Sequence, residues 1–158
     1  MQIPENCLLV IFGASGDLTK RKLIPALYSL YQLELLPKKF RVLGVSRSQL
    51  TDEDFHSQCK DFLVQHKDKG CHSMEEFLSK CEYLQLNTSD SDDYLRLKTR
   101  MSEIELEVGT EGNTIYYLST PPSLYSVIPG ILAKHRLHSE DNGWKRLIVE
   151  KPFGVDLA

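Results

Sequence analysis

Cys7-Leu8-Leu9-Val10-Ile11-Phe12, followed at once by Gly13-Ala14-Ser15-Gly16-Asp17, is the stretch whose reading decides the fold. Six apolar residues without alternation do not suit a strand that faces water on one side. They suit a parallel strand covered by helices on both faces. The small-residue turn stops the run, and helical spacing follows at Leu23, Leu27, Leu30 and Tyr31. Pro25 falls in the first part of that helix, where its missing N–H costs least. Pro37 closes the segment, and Arg41-Val42-Leu43-Gly44-Val45 reads as a second strand.

The same alternation continues outward. Thr51-Asp52-Glu53-Asp54 is a capping box with Thr51 as N-cap, opening a helix expected to run to about Lys67 through Phe55, Cys59, Phe62 and Leu63, with Gly70 after it. Ser73-Met74-Glu75-Glu76 starts a shorter helix, and Tyr83-Leu84-Gln85-Leu86 is a short third strand. Ser91 begins a helix carrying Tyr94, Leu95, Lys98 and Met101, and the stretches 66–73 and 107–113 read as loops. Thr114-Ile115-Tyr116-Tyr117-Leu118-Ser119 is a β-branched and aromatic fourth strand. Pro121-Pro122 breaks the chain before a helical stripe at Leu124, Ile128, Ile131, Leu132 and Leu137; Lys145-Arg146-Leu147-Ile148-Val149-Glu150 is the fifth strand. Strands alternating with helices, without hairpin signals, argue for an α/β domain of Rossmann type. Its parallel sheet is doubly wound, with strand order 3-2-1-4-5 and the switch point between strands one and four. The whole of residues 1–158 is read as this one domain. The last residues, Asp156-Leu157-Ala158, come before a sixth strand could form and read as an artificial boundary.

The turn Gly13-x-x-Gly16 lies between a buried strand and a helix. There Gly13 permits a tight bend and Gly16 lets a diphosphate approach the backbone. The first N–H groups of the following helix have no intrahelical partner, so an anion binds there readily. By itself a G-x-x-G is only a tight turn, and the full G-x-G-x-x-G is absent because Ser15 replaces its second glycine. A P-loop is excluded, since no G-K-[ST] follows. NAD-binding domains usually end their second strand on Asp or Glu, which accepts from the ribose hydroxyls. Here the strand ends Ser46-Arg47-Ser48. An arginine flanked by hydroxyls favours a 2′-phosphate, hence NADP over NAD, although a strand-end arginine can equally be surface charge. Lys151 follows Glu150 at the carboxyl edge of strand five, where such folds keep their ligands, and Pro152 restricts it to an extended conformation and can itself be cis.

Composition narrows the class. The net charge of −3 over 158 residues gives no nucleic-acid footprint and no polybasic membrane patch. No apolar run approaches the roughly 20 residues of a membrane span, and residues 1–12 lack a secretory pattern. Cys7, Cys59, Cys71 and Cys81 form no C-x-x-C pair and no metal spacing, so they read as reduced thiols of a cytoplasmic protein. His56, His66, His72, His135 and His138 are read as surface residues, none of them a catalytic base.

Val10-Ile11-Phe12-Gly13-Ala14-Ser15-Gly16-Asp17-Leu18, Arg47, Pro121-Pro122 and Glu150-Lys151-Pro152-Phe153-Gly154, in that order, resemble the glucose-6-phosphate dehydrogenase family over essentially the whole chain. The resemblance implies that Gly13, Ala14, Ser15, Gly16, Asp17, Leu18, Thr19 and Lys20 wrap the coenzyme diphosphate. It implies that Arg47 holds the 2′-phosphate with Ser15 and Ser46, and that Gln85 and Leu86 border the adenine. Thr120, Pro121 and Tyr125 would lie along the nicotinamide, Lys151 would reach both coenzyme and sugar phosphate, and Lys22 would be a second substrate contact. Thr19 departs from the family, which usually has Ala there. The family's general base is a histidine in a later D-H-Y-L-G-K motif, so no catalytic residue and no metal ligand are expected in this chain. The family further implies oxidation of glucose 6-phosphate to 6-phosphogluconolactone with NADP, the first step of the pentose phosphate route, by a homo-oligomer. Two alternatives stay open at this point: a non-catalytic NADP-sensing domain, and an NADP-dependent oxidoreductase acting on another sugar phosphate.

Overall fold

The computed structural model describes residues 2–65 and 72–151. Five parallel strands, β1 (Cys7–Phe12), β2 (Phe40–Ser46), β3 (Cys81–Gln85), β4 (Thr114–Leu118) and β5 (Lys145–Val149), form one sheet in the order β3-β2-β1-β4-β5. This is the expected doubly wound topology. Helices α1 (Ile24–Gln32), α2 (Asp52–Leu63) and α3 (Met74–Leu78) belong to one face, and α4 (Tyr94–Val108) and α5 (Val127–Lys134) to the other.

Successive side chains of a strand point to opposite faces, so β1 feeds both cores. Leu8, Val10 and Phe12 enter the layer under α4 and α5 with Leu43, Val45, Tyr116, Leu118 and Ile128. Ile11 enters the layer under α1, α2 and α3 with Ile24, Tyr28, Val42, Phe55 and Phe77. That double burial is why the strand reads as an unbroken apolar run. The β5 edge is barer: Leu147 and Ile148 are 45% and 41% exposed.

Several sequence expectations need correction. Asp17 and Leu18 are already helical and Thr19–Leu23 is a π turn, where Ile24 N–H bonds to the Thr19 carbonyl, so Pro25 stands well inside a continuous helical rod. A π turn inserts one residue, which rotates everything beyond it about the axis. The buried face is accordingly centred on Ile24, Pro25 and Tyr28, with Leu23, Leu27 and Tyr31 flanking it and Leu30 exposed. Helix α2 stops at Leu63 instead of near Lys67, while Gly70 lies outside the described residues. Its capping box is present, with Thr51 Oγ1 accepting from Asp54 N and Asp54 accepting from Thr51 N. Ser91 opens a 3₁₀ turn (Ser91–Asp93) ahead of α4, whose buried positions are Tyr94, Leu97 and Ile104; Leu95 faces water. Helix α4 runs on to Val108, so the loop begins at Gly109, which caps the helix in the left-handed conformation. Leu137 is buried but lies beyond α5. No helix of the described residues is long and apolar enough to cross a membrane.

The histidines also differ from the expectation. His56 and His135 are half-buried and tied to backbone, with Nε2 2.5 Å from the Cys81 carbonyl and 2.7 Å from the Ser91 carbonyl respectively. His72 is half-buried and packs at a tilt against Tyr31, and only His138 is plainly exposed; His66 lies outside the described residues. Cys7, Cys59 and Cys81 are free and buried, as reduced thiols should be, and Cys71 lies outside the described residues.

Candidate functional site at the switch point

Ligands of doubly wound folds sit where neighbouring connections leave the sheet in opposite directions, at the carboxyl ends of the strands. Here that place is the crevice between β1 and β4. The chain leaves β1 through Gly13, whose φ of +83° suits glycine, and a Cβ there would lie 2.0 Å from the Ser119 carbonyl oxygen. The glycine turn and the end of β4 are therefore pressed together, and Ser119 N–H holds the register by donating to Phe12 O at 2.9 Å.

Within the turn the N–H groups divide into two sets. Gly13 and Ala14 both donate to the Val45 carbonyl, and Gly16 donates back to Gly13. The N–H groups of Ser15, Asp17, Leu18 and Thr19 find no acceptor among the described residues. Unspent donors at the start of a long helix, reinforced by its dipole, form a receptor for an anion. Ala14 is fully buried and packs against Gly44, so only its backbone shapes the turn. Thr19 is also buried, and its hydroxyl donates to the Gly13 carbonyl at 3.3 Å, which fastens the helix start to the turn. Lys20 turns aside to Gln58 at 3.3 Å.

Two adjoining clefts open above this turn. The first, about 520 Å³, is lined by Gly13, Ser15, Gly16, Arg47, Thr120 and Pro121, with Ser46, Ser48, Thr88, Ser119 and Leu124 completing it. The second, about 330 Å³, shares Gly16, Ser119, Thr120 and Pro121 with it and adds Asp17, Leu18, Tyr125 and Lys151 among others. Their common wall joins the clefts into one groove running from the end of β2 to the end of β5.

Arg47 is exposed at one end, and among the described residues its guanidinium has no hydrogen bond or ion pair. Beside it Ser15 Oγ accepts from Ser46 Oγ at 2.9 Å and from Ser48 Oγ at 3.1 Å. Two acceptances fill the lone pairs of Ser15 and leave its own proton to be given to a ligand. Among the described residues no carboxylate lines this end of the groove. At the other end Tyr125 donates to the Glu150 carbonyl at 3.0 Å, fixing the backbone next to Lys151. Between them Thr120 Oγ1 is buried without any hydrogen-bond partner among the described residues. A buried hydroxyl left unmatched is costly, and a ligand in the groove would satisfy it.

The structure does not bring every expected residue into the groove. Leu86 is fully buried in the core, and Gln85 sends its amide to the Arg47 carbonyl at 3.3 Å. Thr88, two residues further on, lines the groove where those two were expected. Lys22 is exposed on the π turn and lines neither cleft. The proposed cis bond at Pro152 lies outside the described residues. Thr88 and Leu124 were not singled out from sequence: Thr88 sits in a loop without a motif, and Leu124 continues an apolar stripe.

A doubly wound sheet with a donor-lined glycine turn at its switch point defines a dinucleotide-binding domain of Rossmann type. The family described as glucose-6-phosphate dehydrogenase, NAD binding domain, matches residues 10–158, and the chain belongs to it. A glucose-6-phosphate 1-dehydrogenase from Aggregatibacter actinomycetemcomitans is 54% identical over 152 residues, covering 96% of this chain and 31% of that protein. The enzyme of the same name from Treponema pallidum is 42% identical over 153 residues, 95% of this chain and 30% of that one. Among solved structures, a glucose-6-phosphate dehydrogenase in complex with its substrate glucose 6-phosphate superimposes with a TM-score of 0.85 at 38% identity, covering 99% of this chain and 32% of that chain. The Mycobacterium avium glucose-6-phosphate 1-dehydrogenase gives a TM-score of 0.75 at 29% identity, covering 98% of this chain and 31% of that chain. This chain thus spans about a third of the length of the relatives it matches.

Proposed function

We propose that this domain binds NADP in preference to NAD and is the coenzyme platform of a glucose-6-phosphate 1-dehydrogenase. The observation that carries the coenzyme choice is the unpaired Arg47 guanidinium, set beside the Ser15 and Ser46 hydroxyls where an NAD-binding domain would keep a carboxylate. Family membership supports the reaction: oxidation of C1 of D-glucose 6-phosphate to 6-phospho-D-glucono-1,5-lactone, the entry to the pentose phosphate route.

The bound nicotinamide would supply the hydride acceptor. This chain's own residues would bind and orient. The free N–H groups of Ser15, Asp17, Leu18 and Thr19 would take the diphosphate, with Gly16 giving it room. Thr88 would flank the adenine. Thr120, Pro121 and Tyr125 would border the nicotinamide, and holding the two reactants in register there removes much of the orientational cost of the reaction. Lys151 and, from its exposed place on the π turn, Lys22 would meet the sugar phosphate. No general base is assigned here, because none of His56, His72, His135 and His138 lines the groove. Turnover by the isolated 158 residues with NADP and glucose 6-phosphate would contradict that last statement. The full-length enzyme is read as a homo-oligomer of the cytoplasm, in keeping with three free, buried thiols.

Coenzyme titration tests the central point. NADP should bind more tightly than NAD, and Arg47→Ala should remove most of the difference, roughly 1.5–3 kcal/mol, or about ten- to hundredfold in Kd. Equal affinity for the two coenzymes in the parent protein refutes the assignment.

A further inference from the structure

Arg47 stands on an exposed bend with no side-chain partner among the described residues, yet its own carbonyl and those of Ser46 and Ser48 face side-chain donors of β3. Tyr83 OH gives its single proton chiefly to the Ser48 carbonyl at 2.5 Å and lies 3.2 Å from the Ser46 carbonyl. Gln85 Nε2 donates to the carbonyl of Arg47 itself at 3.3 Å. Tyr83 and Gln85 are alternate residues of β3, so they share one face of the strand. The parallel register sets Gly44 beside Tyr83 and Ser46 beside Gln85, which brings that face alongside the outgoing end of β2.

The Tyr83 hydroxyl does a second thing. It lies 2.5 Å from Ser46 Oγ, which is itself 2.9 Å from Ser15 Oγ. The phenol therefore touches both halves of the anion receptor: the bend that aims the guanidinium, and the Ser46 hydroxyl that adjoins Ser15. Its ring is anchored independently, packed on Phe55 with centroids 5.5 Å apart, so the hydroxyl is a fixed point against which a mobile arginine can be positioned.

We propose that Tyr83, seconded by Gln85, is a positioning residue for coenzyme specificity, acting through the Ser46-Arg47-Ser48 bend without touching the coenzyme. This deepens the NADP reading and rests on it. A flexible arginine on a loose bend would still attract phosphate by charge. A preorganised one loses less freedom on binding, and the gain falls only on the coenzyme that carries the extra phosphate.

The test is Tyr83→Phe in the native full-length protein, with Kd measured for both NADP and NAD. Phe keeps the ring contact with Phe55 and removes only the hydroxyl. The NADP Kd should rise about tenfold while the NAD Kd stays within about twofold. Gln85→Leu, at an exposed position, should shift the same ratio in the same direction by a smaller factor. Equal weakening of both coenzymes by Tyr83→Phe would mean a merely structural role and overturn the proposal, as would an unchanged ratio in both variants. Arg47→Ala, run alongside, separates the two levels. If it too leaves the ratio unmoved, the NADP reading itself has failed; if it collapses the ratio while Tyr83→Phe and Gln85→Leu do not, only the positioning role has.

Discussion

Substituting Ala separately at the two glycines of the turn should separate two jobs that the motif combines. At Gly13 the backbone has φ +83°, which costs an L-residue roughly 1–2 kcal/mol. The new Cβ would also lie 2.0 Å from Ser119 O and 2.8 Å from Ser119 C, both backbone atoms that cannot rotate away. Relieving that overlap means moving the end of β4 by about 1 Å, against the Ser119–Phe12 hydrogen bond, and overpacking of this kind adds roughly 1–3 kcal/mol. Gly13→Ala should therefore lose about 2–5 kcal/mol, a large part of the roughly 5–15 kcal/mol that holds a domain together. Gly16 differs. A Cβ there meets only Gly13 O, at 3.2 Å, and the backbone is not left-handed. Gly16→Ala should change stability by less than about 1 kcal/mol. Yet Gly16 lines both clefts, and a methyl group there stands where the diphosphate must approach, so coenzyme affinity should fall at least about tenfold. Equilibrium urea unfolding gives the first quantity, and coenzyme titration gives the second. A Gly13→Ala protein within about 0.5 kcal/mol of the parent would refute the account of the β1–β4 junction. A Gly16→Ala protein as destabilised as Gly13→Ala would refute the division of labour.

Other consequences can be measured directly. Thr51→Ala removes the N-cap of α2 and should lower unfolding stability by about 1 kcal/mol near neutral pH. Hydrogen bonds from the Thr51 backbone and side chain hold the Asp54 carboxyl below its ordinary value. That contribution is present above the unfolded-state value and is lost as pH falls through the folded one, so the acid limb of a pH–stability profile should weaken in Asp54→Ala and a profile of unchanged shape would count against it. Thr19→Ala should cost about 1 kcal/mol through the lost bond to the Gly13 carbonyl, with urea midpoints as the readout. Burial pushes the thiols of Cys7, Cys59 and Cys81 up, Cys59 to about 12. In a Cys71→Ser background no thiol should therefore react with a disulfide reagent at about pH 8 until the protein unfolds; rapid native-state labelling would contradict the buried placement.

The strand sequence was legible because each signal is local. The unbroken apolar run of β1, the β-branched β4 and the Thr51 capping box each report the environment of one element, and the crossover rules then fix the sheet order. The glycine turn, Arg47 and Lys151 could be read as one edge of the sheet for the same reason: all three follow directly on strand ends. Periodicity fails where one residue changes the phase. The π turn did this ahead of Pro25, so that Leu30 faces water while Ile24 and Tyr28 do not. Only the tertiary structure decided that Leu86 is core and Thr88 is at the groove, because a strand end is set by the register of its neighbour. It alone revealed Tyr83 beneath Arg47, for a hydrogen bond between residues thirty-five or more positions apart leaves no mark on either local pattern. Apolar spacing is written along the chain, whereas the pairing of polar groups exists only once the sheet has brought its strands side by side.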